Sequence, residues 1–91
     1  KRRYAVARLL LHLLERPGTL RLAAGVYEAV RDPAGVSEPG EGIVKVTVYH
    51  ARRALAVAGI EGAIETVWGK GLRMPPEAAA RVAALIGVSD G

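Results

Sequence analysis

Ninety-one residues suffice for one domain that buries about two-thirds of the surface its unfolded chain exposes, with room for a small core and none for a deep catalytic cavity. Hydrophobic residues make up 51% of the chain, but there is no Phe, so the core has to be built from Leu, Val, Ile and Ala. Ten Arg and three Lys against nine acids give a net charge of +4, a balance that suits a nucleic-acid partner without proving one, and the absence of Cys excludes disulfides, thiolate catalysis and thiolate zinc sites.

Two histidines, His12 and His50, are too few for a metal cluster, so neither a metal nor a cofactor is expected. No apolar run approaches the roughly 20 residues that a membrane span needs, which predicts a soluble, cytoplasmic protein without a membrane partner. Because the chain starts at Lys1 and enters a helical pattern at once, it reads as a piece of a longer polypeptide.

The first helix is predicted over 3–16. Val6, Leu9, Leu10, Leu13 and Leu14 repeat at three and four, with Arg8, His12 and Glu15 outward, and Pro17-Gly18 ends the run. Thr19 and Leu20 give a short extended step. A second helix follows over 22–31 with Leu22, Val26, Ala29 and Val30 as its apolar line and Tyr27 beside it. Gly25 inside it costs about 1 kcal/mol relative to Ala, which suggests a close helix–helix approach. The stretch 32–42, DPAGVSEPGEG, is a loop longer than a usual connection, either mobile or functional.

The stretch 43–58, IVKVTVYHARRALAVA, organises the rest. Its β-branched start also fits the period of a strand. The apolar spacing stays helical through Leu55, however, and RRALAVA is rich in helix formers, so a helix is expected, stopped by Gly59. At 100° per residue, Val44, Val48, Ala51 and Leu55 share one arc, the buried face. Opposite lie Val46, Tyr49, His50 and Arg53, flanked by Lys45 and Arg52, and no acid interrupts the run between Glu41 and Glu61. A merely solvated face would mix charges.

IETVWGKGLRM at 64–74 alternates around Gly69-Lys70-Gly71, a hairpin signal with a bend or bulge near Trp68. A Lys at a glycine tip, with Arg73 returning along the strand, suits a phosphate or a minor groove, whereas a plain turn would need neither. Pro75-Pro76 stops the strand. A last amphipathic helix over 77–86 carries Ala78, Val82, Leu85 and Ile86 in a stripe.

Three segments carry a family resemblance: LLLHLLERPG at 9–18, VKVTVYHARRAL at 44–55 and, most specifically, IETVWGKGLRM at 64–74. In this order and spacing the chain resembles the winged-helix effector domain of OmpR/PhoB-type response regulators, and the wording ETVWGKG is similar to the cell-cycle regulator branch of that family. The resemblance implies an α+β, mainly α fold: a winged helix-turn-helix over 1–74, with a three-helix core and a C-terminal β-hairpin wing, followed by a helical extension over 75–91.

It also implies sequence-specific binding of double-stranded DNA for transcriptional regulation. The helix at 43–58 would enter the major groove through Lys45, Val46, Thr47, Tyr49, His50, Arg52 and Arg53. The wing at 64–74 would meet phosphate and minor groove through Thr66, Trp68, Lys70 and Arg73. The loop before the recognition helix, with Glu38 and Glu41, corresponds to a contact with RNA polymerase, and a homodimer on DNA is a further expectation. The chain departs from the family pattern at several points. Leu22 stands where a helix-capping Ser or Thr is usual, Lys45 where an acid is common and His50 where an Arg is common. A sheet before the first helix and a phosphoacceptor domain are not among these 91 residues.

Two other classes were weighed. A winged helix can serve as a protein-contact module whose basic face binds an acidic partner. An enzyme would need convergent acids, bases or a nucleophile, and no such constellation is present in the sequence.

Overall fold

The computed structural model describes residues 2–31 and 42–87, which form four helices and a three-stranded antiparallel sheet, an α+β arrangement dominated by helix. The loop residues Glu38 and Glu41 lie outside the described residues. Among the described residues no helix is long and apolar enough to cross a membrane.

Helix α1 (Arg2–Leu14) buries Leu9, Leu10 and Leu13 of the expected stripe, whereas Val6 and Leu14 are only partly covered. It ends two residues before the expected limit, ahead of Pro17-Gly18. Gly18 has φ +80° and is held from two sides: its N–H donates to the Met74 carbonyl at 2.7 Å, and its own carbonyl accepts from Arg73 Nε at 3.1 Å. Strand β1 (Arg21–Leu22) follows, two residues later than the expected extended step, and runs straight into α2 (Ala23–Val30).

Eight residues are too few for a stable isolated helix, so α2 depends on its neighbours. Leu22 at its N-cap supplies no side-chain bond, as its chemistry predicts; the Lys70 carbonyl takes the Ala23 N–H instead, at 2.9 Å. At the other end Arg8 donates from Nε to the Ala29 carbonyl at 3.2 Å and from Nη2 to the Val30 carbonyl at 3.0 Å, a cation placed on the negative end of the helix. Arg8 and His12 were expected to point outward. Both are half-buried, because α2 packs across the edge of α1 that the leucine stripe leaves open.

His12 Nε2 is buried without a hydrogen-bond partner. It faces Gly25, where an added Cβ would lie 3.7 Å from Nε2; this is ordinary contact, so close approach is present but does not require glycine. Burial, and then the Arg21 guanidinium, push the His12 pKa below its usual 6.5, while Glu15 pulls the other way. The unfolded chain therefore takes up this proton first on acidification. The contribution of neutral His12 is full above pH 6.5, falls as pH drops through that value and levels off below the folded pKa. Melting temperature should thus decline between pH 7.5 and 5.5, and His12→Gln should flatten that decline. A decline of the same steepness in the variant would assign it to other groups.

Helix α3 (Gly42–Val57) settles the ambiguous 43–58 stretch as a helix. Val48, Ala51 and Leu55 are buried as expected, but Val44 is only partly covered and Thr47 takes a core place at 4% exposure. Its hydroxyl donates to the Ile43 carbonyl one turn back at 2.6 Å, which satisfies a polar group that burial would otherwise penalise. The helix ends at Gly59, φ +84°. Ile60 N–H donates to the Leu55 carbonyl at 2.8 Å and Gly59 N–H to the Ala56 carbonyl at 2.9 Å, a Schellman closure with Ile60 and Leu55 both in the core.

Strands β2 (Glu65–Val67) and β3 (Gly71–Arg73) form the predicted hairpin, paired Glu65 to Arg73, Thr66 to Leu72 and Val67 to Gly71. Its turn is Trp68-Gly69-Lys70, with Gly69 at φ +75° and Lys70 N–H on the Val67 carbonyl at 2.9 Å. β1 adds to the other side of β3, Arg21 opposite Leu72 and Leu22 opposite Gly71, giving the order β1-β3-β2.

Helix α4 (Pro76–Ile86) begins with proline at its first position, where the missing N–H costs nothing, and closes on Gly87 at φ 78°. It buries Ala78, Ala79 and Val82 in the same apolar cluster as Leu9, Leu13, Leu55 and Met74. The expected stripe is rotated: Ala79 is in, whereas Leu85 and Ile86 are 49% and 38% exposed where α4 runs past the core.

Candidate nucleic-acid interface

The outer face of α3 and the hairpin are the two walls of a groove of about 880 Å³, closed at one end by the first turn of α2. Val44, Val48, Val67 and Leu72 contribute to an apolar floor. Lys45, Arg52 and Lys70 bring cationic side chains to the lining, which contains no Asp or Glu. Pairing of β1 with β3 sets the span, since it fixes the hairpin to the start of α2 while α2 and α3 pack together in the core.

On α3, Lys45 is exposed, Val46 is 43% exposed and Tyr49 is 55% exposed. His50 is half-buried, its ring meeting Tyr49 edge-on at 5.3 Å between centroids. The Arg53 guanidinium carbon lies 5.8 Å from the centre of the Tyr49 ring, with Nη1 3.4 Å from the phenol oxygen. Tyr49 thus contacts both an Arg one turn on and the His next to it, a cluster that the i, i+1 and i+4 spacing allows.

Three of the expected contact residues have other engagements. Thr47 is the clear correction: it is buried with its hydroxyl bonded to its own helix, so it has no surface to offer a partner. Arg52 bridges α3 to the hairpin, donating from Nη2 to the Ile64 carbonyl at 2.8 Å and to Thr66 Oγ1 at 3.0 Å. Arg73 is ion-paired across the hairpin with Glu65 at 2.8 Å and also holds the Gly18 carbonyl. Both arginines stiffen the scaffold on which the exposed residues are displayed.

At the hairpin tip Trp68 is 88% exposed and Lys70 is free of any ion pair among the described residues. Thr66 is exposed beside Arg52. Ala23, Ala24 and Tyr27, which wall the groove from α2, were not singled out from sequence as site residues. Their only signal there was two small residues followed by an aromatic on the rim of the apolar line. No family model matches this chain, and neither does any curated protein or solved structure.

Proposed function

We propose that the chain binds double-stranded DNA sequence-specifically in transcriptional control, as a winged helix-turn-helix with α3 in the major groove and the β2–β3 hairpin as the wing on the flanking backbone. The observation that carries this reading is an acid-free groove lined by Lys45 and Tyr49 on α3 and by Trp68 and Lys70 on the hairpin, with His50 and Arg53 set against the Tyr49 ring. Phosphate attracts such a surface without regard to sequence, and the exposed helix face supplies groups that reach base edges. This function places the protein in the cytoplasm, makes RNA polymerase and a second copy on DNA its further partners, and needs neither catalysis nor a cofactor.

The apolar floor of the groove favours one other occupant, an acidic protein segment with apolar side chains, as in a winged helix used for protein contact. Titration with random duplex DNA at two salt concentrations separates the two readings. Lys70→Ala should lower the slope of log affinity against log salt by about one and Lys45→Ala should weaken binding, each with the melting temperature unchanged because both side chains are exposed. Salt-independent or undetectable duplex binding would favour the protein-contact reading. An unchanged slope in the Lys70 variant would take the hairpin off the DNA.

A further inference from the structure

Resting on the duplex reading, we infer that α3 selects DNA sites by thymine C5-methyl groups beside guanine, with Val46 as the methyl-contacting residue. The four bases ask for different side chains in the major groove. Adenine is read best by a carboxamide, cytosine by a carboxylate, guanine by Arg or Lys, and thymine by an apolar contact to its methyl. Helix α3 contains no Asn, Gln, Asp or Glu at any of its positions. The hydroxyl of Thr47, which could have served several bases, is buried on the Ile43 carbonyl. Arg52 is committed to Ile64 and Thr66.

The outward groups that remain are two cations, Lys45 and Arg53, the half-buried His50, and three large apolar surfaces, Val46 at 43%, Tyr49 at 55% and, at the last position of the helix and away from the aromatic pair, Val57 at 89% exposure. Lys45 and Arg53 match guanine O6 and N7, and Arg53 is already steered by the Tyr49 ring. Val46 lies one turn before Tyr49 and His50, so its two methyls extend that aromatic surface toward the start of the helix. The fold does not account for it, since an exposed Val is a weaker helix former than Ala or Leu and leaves much of its surface in water. Its restricted χ1 suits it to a fixed methyl-on-methyl contact with little ordering cost.

The test uses the intact chain. Duplexes are selected from a random pool, and each thymine of the enriched site is replaced singly by deoxyuridine, which removes the C5 methyl alone. At least one replacement should weaken the unmodified protein about fourfold, the worth of one buried methyl group. The same replacement should have no effect on Val46→Ala. Val46→Thr keeps one methyl in the same shape, serves if the Ala variant loses helix, and should show an intermediate loss. If every deoxyuridine duplex binds as tightly as its parent, or if Val46→Ala still loses about fourfold, the inference fails while duplex binding stands. If no duplex is enriched and binding is insensitive to salt, the duplex reading fails and the inference with it.

Discussion

Leu55→Ala is expected to lower the unfolding free energy by about 2–5 kcal/mol, read from denaturant midpoints at constant slope. Leu55 is 2% exposed, lies in the shared apolar cluster, and its carbonyl receives the Ile60 N–H that closes α3. Truncation opens a cavity and also removes the apolar contact that accompanies that closure. A domain of this size has roughly 5–14 kcal/mol in all, so the variant should approach the folding threshold. Without Phe in the chain, few neighbours are bulky enough to collapse into the space. A midpoint unmoved within error would refute the placement of Leu55 at the centre of the core.

Gly71→Ala is the second large effect. A Cβ at Gly71 would stand 2.0 Å from the Arg21 carbonyl oxygen and 3.0 Å from the Ala23 nitrogen, both backbone atoms that cannot swing away. β1 would have to leave β3, and the Lys70 carbonyl would lose the Ala23 N–H that starts α2. The cost should be about 3 kcal/mol or more, the upper end for overpacked sites, because the atoms met are backbone. Gly69→Ala, at φ +75° in open space, meets only left-handed backbone strain of roughly 1–2 kcal/mol. If the proposed function holds, the Gly71 variant should also bind duplex DNA more weakly, because the hairpin would no longer be fixed to α2. Equal stability losses for the two variants would mean that β1 does not press on β3 as described.

These two glycines show where the sequence was legible and where it was not. Both mark a hairpin in the string GKG, and the hairpin formed there. Only Gly69 is needed for its turn conformation; Gly71 is needed because a strand nearly fifty residues earlier crosses it, and no local pattern announces such a contact. The helix at 43–58 could be recognised because its apolar spacing at three and four persists over several turns, and most of its outward side chains followed from that. Thr47 was misplaced because the resemblance put it on the outer face, whereas the helix carries it toward the core, where its hydroxyl is satisfied locally. Arg8, Arg52 and Arg73 read alike as surface cations. What distinguishes them is the tertiary carbonyl that each one finds.

The shortness of the sheet bears on self-association. An open sheet edge is a row of unpaired amides and carbonyls on which a second chain can assemble, and long apolar edges do so readily. Among the described residues the outer strands are β1, with two residues, and β2, with three. β1 passes at once into a helix that turns its backbone bonds inward. β2 is guarded by Arg52, whose guanidinium lies on the Ile64 carbonyl and the Thr66 hydroxyl. A guanidinium fixed there puts positive charge and bulk where another strand would have to dock. The contact that braces the hairpin against α3 therefore also keeps the sheet from templating aggregation at high concentration.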